Sequence, residues 1–249
     1  MPLAGVVLGA IAGSFLGAIA ARWPRGESVL AGRSRCDGCG ATLRTLELIP
    51  LISYFVARGR CRRCGGAISG THVALEAGAA LIGGVAFAAL PLLPAALTAL
   101  FGWWLLLIAV LDLEHHWLPD LLTLPLIAAG LGAALVSVGV PLADRAIGAA
   151  AGYAVLAAIA LLYRRLRGRV GLGGGDPKLF AALGAWLGWQ QLPFVLVGAG
   201  LLGLASLLLR RLRGDTVGAT DRLPLGTLMA VAAWPLWLLA AANSVTNAS

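Results

Sequence analysis

The chain has 249 residues, of which 59% are hydrophobic and only 12% charged, with a formal net charge of +8 and a mean hydropathy of +0.89. Apolar runs this long and this close together exceed what one soluble core absorbs, so a soluble globular enzyme is excluded and an all-α polytopic membrane protein is expected. The basic balance raises nucleic acid as a partner, but the placement of the basic residues assigns them to membrane topology, and no nucleic-acid partner is expected.

Runs of about twenty apolar residues, broken at charge and Pro/Gly clusters, predict about eight transmembrane helices. They fall at 2–21, 73–92, 94–111, 121–139, 145–163, 178–189, 191–209 and 224–242. The first run, Pro2 to Ala20, has no basic segment before it and is too long for a signal peptide, so it is expected to persist as a helix. The sixth is short, with its break at Gly188-Trp189-Gln190. Gly and Ala abundance suits helices that pack closely within a membrane.

Lys and Arg are distributed unevenly among the connections. Nine Arg lie in 22–72, five basic residues in 164–178 and four in 210–222, which leaves only Arg145 in a connection of the other parity. The positive-inside rule then puts the basic loops in the cytoplasm and both termini outside it. It also puts Asp112, Asp120 and Asp176 on the cytoplasmic face. No internal repeat is evident. Residues 1–22 are expected as the first transmembrane helix, 23–72 as a cytoplasmic loop subdomain, 73–243 as the main membrane domain and 244–249 as a polar tail.

The cytoplasmic loop holds the four cysteines of the chain, as Cys36-Asp-Gly-Cys39 and Cys61-Arg-Arg-Cys64. Two Cys-x-x-Cys knuckles at this spacing can place four thiolates tetrahedrally around one structural zinc ion, with adjacent glycines to turn the backbone. A pair of disulfides is the rival, and a reducing compartment disfavours it. No ligand is left for a catalytic water, so the metal is expected to order the subdomain. The loop arginines suit anionic lipid head groups or a peptide.

"LDLEHHWLPD" (111–120) gathers Asp112, Glu114, His115, His116 and Asp120 at the end of the third apolar run. Asp120, after Pro119, suits the N-terminus of the next helix. His115 and His116 are adjacent and would point about 100° apart on a helix, a poor metal pair. Asp112 differs, because it directly follows "WWLLLIAVL" at the membrane edge. Asp176 closes "GLGGGD", which lacks the strand and the Lys-Ser/Thr ending of a phosphate loop. The glycines instead allow the backbone to bend and carry Asp176 into a protein-lined cavity. Two carboxylates that meet in such a place share a proton, the arrangement needed to hydrolyse a peptide bond.

With these motifs the chain resembles the type IV prepilin peptidases, a group of Gly-x-Gly-Asp intramembrane aspartic proteases. The resemblance runs from "GSFLGAIAARWP" (13–24) through the tetracysteine loop with "ELIPLISY" and "GRCRRCGGAIS", then "LDLEHHWLPD" and "GLGGGDPKLFAALGAWLGW". It implies that 73–243 is a peptidase domain in which Asp112 and Asp176 are catalytic. Gly173, Gly175, Lys178 and Asp120 are expected to support the site or touch substrate. The implied substrates are type IV prepilins or type II secretion pseudopilins, cut at the cytoplasmic face of the bacterial inner membrane. The family then N-methylates the new N-terminus from S-adenosylmethionine, for which Glu47 is the candidate residue here, with a structural cap as its plainer role. Some members are peptidases only. An ion-coupled transporter is the alternative from another class, and an assembly factor that docks through the zinc loop is a third. The sequence leaves the oligomeric state open.

Overall fold

The computed structural model describes residues 1–249 except 30–32, 37, 137, 170, 216–217, 219–222 and 247–249. The last three belong to the expected polar tail, so that part of it lies outside the described residues. In chain order the helices are α1 (Pro2–Arg22), α2 (Ile52–Val56), α3 (Gly70–Ala89), α4 (Leu92–His115), α5 (Asp120–Gly132), α6 (Leu142–Arg167), α7 (Asp176–Leu187), α8 (Leu192–Leu212) and α9 (Leu225–Thr246).

Each of the eight apolar segments is a helix. Among the described residues six helices are long and apolar enough to cross a membrane: Pro2–Arg25, Gly70–Ala89, Leu92–His115, Leu142–Arg167, Trp189–Leu212 and Leu225–Thr246. The remaining two are shorter. A 3-10 turn extends α5 to Val136. With its 12 residues, α7 reaches roughly 18 Å against about 30 Å of hydrocarbon. It also lacks a lipid-facing side, since every residue of α7 except Lys178 is buried.

Two compact units, Met1–Val110 and Leu111–Ser249, divide the chain inside α4. In the first unit α1 presents Gly5, Gly9, Gly13, Gly17 and Ala20 as its buried stripe. A Cβ at Gly5 or Gly9 would run into the carbonyl oxygens of Gly83 or Ala79 on α3, and one at Gly13 would lie 2.5 Å from Glu76 Cα. Lipid leaves no hydrophobic force to press helices together, so small residues at four-residue spacing gain dispersion by close backbone approach. The other faces of α1 carry Leu3, Val6, Val7, Leu8, Ile11 and Phe15 to the outside. In the same unit the Trp103 indole N–H donates to Ala79 O at 2.9 Å and ties α4 to α3.

Between α1 and α3 the cysteine segments form two matching turns. Gly40 N–H donates to Cys36 O and Gly65 N–H to Cys61 O, both at 2.9 Å. Gly40 (φ 69°) and Gly65 (φ 72°) occupy the left-handed region that each turn requires. The pair is a short structural repeat, carried in the sequence by Arg-Cys-x-x-Cys-Gly at 35–40 and 60–65.

In the second unit α7 is the centre. Gly148 of α6 meets Gly184 of α7, where a Cβ on Gly148 would lie 2.5 Å from Gly184 O. The Trp186 indole N–H donates to Leu126 O of α5 at 2.9 Å, and its ring meets Trp237 of α9 edge-on at 5.0 Å. At the end of α7 opposite Asp176, the fully buried Arg145 donates to Val140 O at 2.8 Å, Gly130 O at 2.7 Å, Ala185 O at 3.2 Å and Val138 O. Its guanidinium also lies 5.5 Å from the Trp237 ring centroid. Carbonyl oxygens and a π face satisfy this cation.

Gly9→Leu is expected to destabilise the first unit by about 1–3 kcal/mol or more, because backbone cannot yield as a flexible side chain can. Gly200 faces open space, so Gly200→Leu should change stability by less than about 0.5 kcal/mol. Thermal unfolding of the two variants in detergent micelles checks the contrast.

Candidate active site and metal centre

Asp112 lies in the last turn of α4 and Asp176 opens α7; they are 5% and 7% exposed, and both belong to the second unit. The local sequence explains each position. His116, at φ 49°, ends α4 in a left-handed residue, and its N–H donates to Asp112 O at 2.9 Å. Pro177, in the first turn of α7, suits a helix start. Gly175 is required by contact, because a Cβ there would lie 2.5 Å from Leu118 Cβ. The same leucine reaches Gly226, where a Cβ would lie 3.0 Å from both Leu118 Cδ2 and Asp112 Oδ2.

The two acids are held by different donors. Asp112 Oδ2 accepts the Thr227 N–H at 2.8 Å and the Thr227 hydroxyl at 3.3 Å. Thr227 lies in the first turn of α9, so its N–H has no partner within the helix and the positive end of the helix dipole faces the carboxylate. Asp176 Oδ2 accepts the N–H of Gly173 at 2.8 Å. Asp176 precedes the apolar run of α7, which is not among the six spans. Burial pushes its carboxyl up to about 6; the Gly173 N–H opposes this shift and the charge of Asp112 adds to it. The structure therefore brings Asp112 and Asp176 within electrostatic reach of each other.

Lys178 and Asp120 meet nearby, with Lys178 Nζ 2.6 and 2.7 Å from the two carboxylate oxygens of Asp120. Asp120 is the first residue of α5, Pro119 takes the cap position, and no side-chain cap bond forms. The cap expected from sequence is thus replaced by an ion pair that fastens α5 to the first turn of α7. His115 faces Glu114 at 3.9 Å, and neither histidine joins a group with metal-ligand geometry among the described residues.

In the first unit the sulfurs of Cys36, Cys39, Cys61 and Cys64 all lie within 4.8 Å of one another and could hold a metal ion. The Arg63 N–H donates to Cys61 Sγ at 3.4 Å, and hydrogen bonds from the Cys64 and Arg63 backbone hold the Cys61 thiol down to about 6. Beside the cluster is a cavity of about 790 Å³, bounded by the end of α1, the loop, α2 and the start of α3. Arg22, Arg35, Glu47, Tyr54, His72 and Glu76 are among its walls. Glu47 also accepts the Arg44 N–H at 2.7 Å, so its capping role is realised.

Sequence reasoning missed Thr227 and Glu76. "LPLGT" at 223–227 offers only a Pro and a Gly before the last apolar run. Glu76 does carry a signal, an isolated acid inside the apolar run that begins at 73.

Residues 7–90 match the family described as Bacterial Peptidase A24 N-terminal domain, and residues 99–208 the Type IV leader peptidase family. A prepilin leader peptidase/N-methyltransferase of Aeromonas salmonicida (strain A449) is 41% identical over 214 residues, spanning 83% of this chain and 71% of the relative. A protein of that name from Dichelobacter nodosus is 39% identical over 215 residues, 86% of this chain and 73% of its own. Another from Pseudomonas putida is 35% identical over 258 residues, covering 92% and 87%. The chain belongs to the type IV leader peptidase family. No solved structure matches it significantly. The family is one of aspartic proteases, and it gives no support to a transporter.

Asp120→Asn removes the charge from an exposed pair and is expected to cost less than about 1 kcal/mol. Chemical denaturation of Asp120→Asn, Lys178→Met and the double variant gives the coupling, which should stay below that value.

Proposed function

We propose that this chain is a prepilin peptidase that also methylates what it cuts. It removes a short basic leader from type IV prepilins or type II secretion pseudopilins, then transfers a methyl group from S-adenosylmethionine to the new N-terminus. The names carried by the relatives support this substrate and both activities. The observation that carries cleavage is the pair of buried carboxylates held by unequal donors.

That inequality assigns their roles. Asp112, with two donors on one oxygen and a helix N-terminus before it, is the ionised partner and takes a proton from the attacking water. Asp176 holds the proton of the pair and gives it to the scissile carbonyl oxygen. The water oxygen–carbon bond forms as the carbonyl π pair moves to oxygen. When the tetrahedral adduct collapses, the C–N bond breaks, the amine leaves with the proton that Asp112 took, and one hydroxyl proton of the adduct returns to Asp176. Gly173 and Gly175 shape the approach, and Lys178 with Asp120 steadies α7 against α5.

The loop charges support cleavage at the cytoplasmic face of the bacterial inner membrane, with both termini on the other side. In keeping with this, Asp112, Asp120, Asp176 and Lys178 share one end of the second unit, while Arg145 and the Asp144–Trp189 hydrogen bond (3.0 Å) share the other. The loop arginines would meet anionic lipid there.

Zinc fits the cysteine cluster. Tetrahedral Zn–S bonds of about 2.3 Å place sulfurs about 3.8 Å apart, and Cys36 Sγ lies 3.9 Å from Cys64 Sγ. The metal would order the loop that walls the cavity. At about 790 Å³ the cavity lies within the usual range for small-molecule sites, about 300–1,000 Å³. S-adenosylmethionine would supply an electrophilic methyl group there. Arg22 and Arg35 suit its carboxylate, the Tyr54 ring its adenine and Glu47 its ribose hydroxyls.

Asp112→Asn and Asp176→Asn should each abolish cleavage of a prepilin by purified protein, and the double variant should lose little more, since the pair acts as a unit. Near-normal cleavage by either single variant would overturn the mechanism. Rising pH removes the proton that Asp176 must donate, so kcat/KM should fall as pH passes about 6, by about tenfold per further unit. Metal analysis should find one zinc per chain, reduced in Cys61→Ser. Zinc-free protein with cysteine pairs oxidised on isolation would refute the metal site.

A further inference from the structure

The cavity of the first unit contains an acid that neither cleavage nor zinc binding uses. Glu76 lies in the second turn of α3 and is 6% exposed. One of its oxygens accepts the Leu51 N–H at 2.7 Å. Leu51, at φ 61°, is the strained residue from which α2 starts, so this bond fixes one wall of the cavity. Among the described residues Glu76 has no ion pair and no other hydrogen bond, and it lines the cavity. A carboxylate buried this far costs several kcal/mol unless a cation comes to it. Among the described residues no arginine of the cavity wall pairs with Glu76. The site is therefore built for a cation from outside the protein.

Depth indicates which cation. Glu76 is six residues into α3, whose first residue is Gly70, or about 9 Å along the axis of an apolar helix. A water-soluble donor with a carboxylate suits the arginine-rich part of the cavity. An acid set inside an apolar segment suits an amine borne at the head of a membrane-embedded helix. We propose that Glu76 receives the N-terminal ammonium group of the processed substrate and first takes one of its protons, which frees the lone pair that attacks the methyl group. This rests on the methyl-transfer reading above. The amine lone pair forms the N–CH₃ bond, the S–CH₃ bond breaks, and its electron pair returns to sulfur to give a neutral thioether. The amine proton passes to the Glu76 carboxylate and from there to water in the cavity.

Glu76→Gln tests the charge without removing the Leu51 contact, because the amide oxygen can still accept that N–H. The probe is a synthetic peptide of the mature N-terminal helix, with a free amine or N-acetylated, titrated into the full-length protein in micelles. The parent protein should bind the free-amine peptide about tenfold more tightly than the acetylated one, the effect of one charge-assisted hydrogen bond. Glu76→Gln should abolish that preference and slow methylation of the free-amine peptide by about a hundredfold or more. Its affinity for S-adenosylmethionine and its zinc content should remain those of the parent. Equal binding of the two peptides by the parent would overturn the proposal without any variant being needed. Retention of the preference by Glu76→Gln would overturn it as well. If the parent transfers no methyl group at all, the methyl-transfer reading fails together with the proton step, and the amine preference is still read separately.

Discussion

Two buried carboxylates in one unit cannot both carry full charge, and the second unit is arranged around that constraint. Each of Asp112 and Asp176 accepts hydrogen bonds from the backbone, yet the donors are unequal. Asp112 has the N-terminus of α9 before it through Thr227, whereas Asp176 has a single turn N–H from Gly173. A hydrogen bond to the charged form lowers proton affinity and burial raises it, so in the proposed mechanism Asp176 holds the proton of the pair. This division holds only if α7 presents Asp176 in a fixed place. A 12-residue helix that faced lipid would not achieve that, and α7 is instead enclosed by α5, α6 and α9.

Enclosure of that kind depends on glycine. Helices in lipid gain little from covering apolar side chains, so contact must come from backbones brought close together. Gly148 on α6 and Gly184 on α7 meet without side chains between them, as do Gly5, Gly9 and Gly13 of α1 against α3. The same close approach places acids. Gly13 lies against Glu76, and Gly226 leaves room for the Asp112 carboxylate. Abundant glycine in this chain is therefore more than a lipid-compatible composition, because it sets how near the functional groups can come to packed backbone.

Hydropathy made all eight helices legible, since each apolar run ends at a Gly, Pro or charged cluster with a physical reason to stop it. Cysteine spacing made the cysteine cluster legible, because two Cys-x-x-Cys turns carry their geometry locally. Asp112 and Asp176 stood out as acids beside apolar runs and as parts of a family motif. Thr227 did not, for its contact is made across 115 positions and a Thr at the start of a helix has ordinary local explanations. Asp120 stands at the N-terminus of α5, as its place after Pro119 suggested, but its partner was not legible. At a helix start a cap is the local expectation, but an ammonium group on α7 competes for the same carboxylate, and a charged partner prevails over a neutral N–H. The shortness of α7 was visible in the sequence. Its complete burial was not, because burial on every side is a property of the neighbours.

Arg145 brings the charge count and the fold together. It is the one basic residue outside the eighteen counted in the loops of one parity, and a count alone would treat it as a small contradiction. The structure removes it from the count. Its guanidinium is fully buried, donates to four carbonyl oxygens and stacks near Trp237. A lysine could not replace it, because only the planar fork reaches the end of α5, the connection before α6 and the end of α7 together. The positive-inside rule concerns charges in loops near the membrane ends, and an arginine consumed by the protein interior does not act as one. Every other basic residue of the sequence falls in connections of one parity.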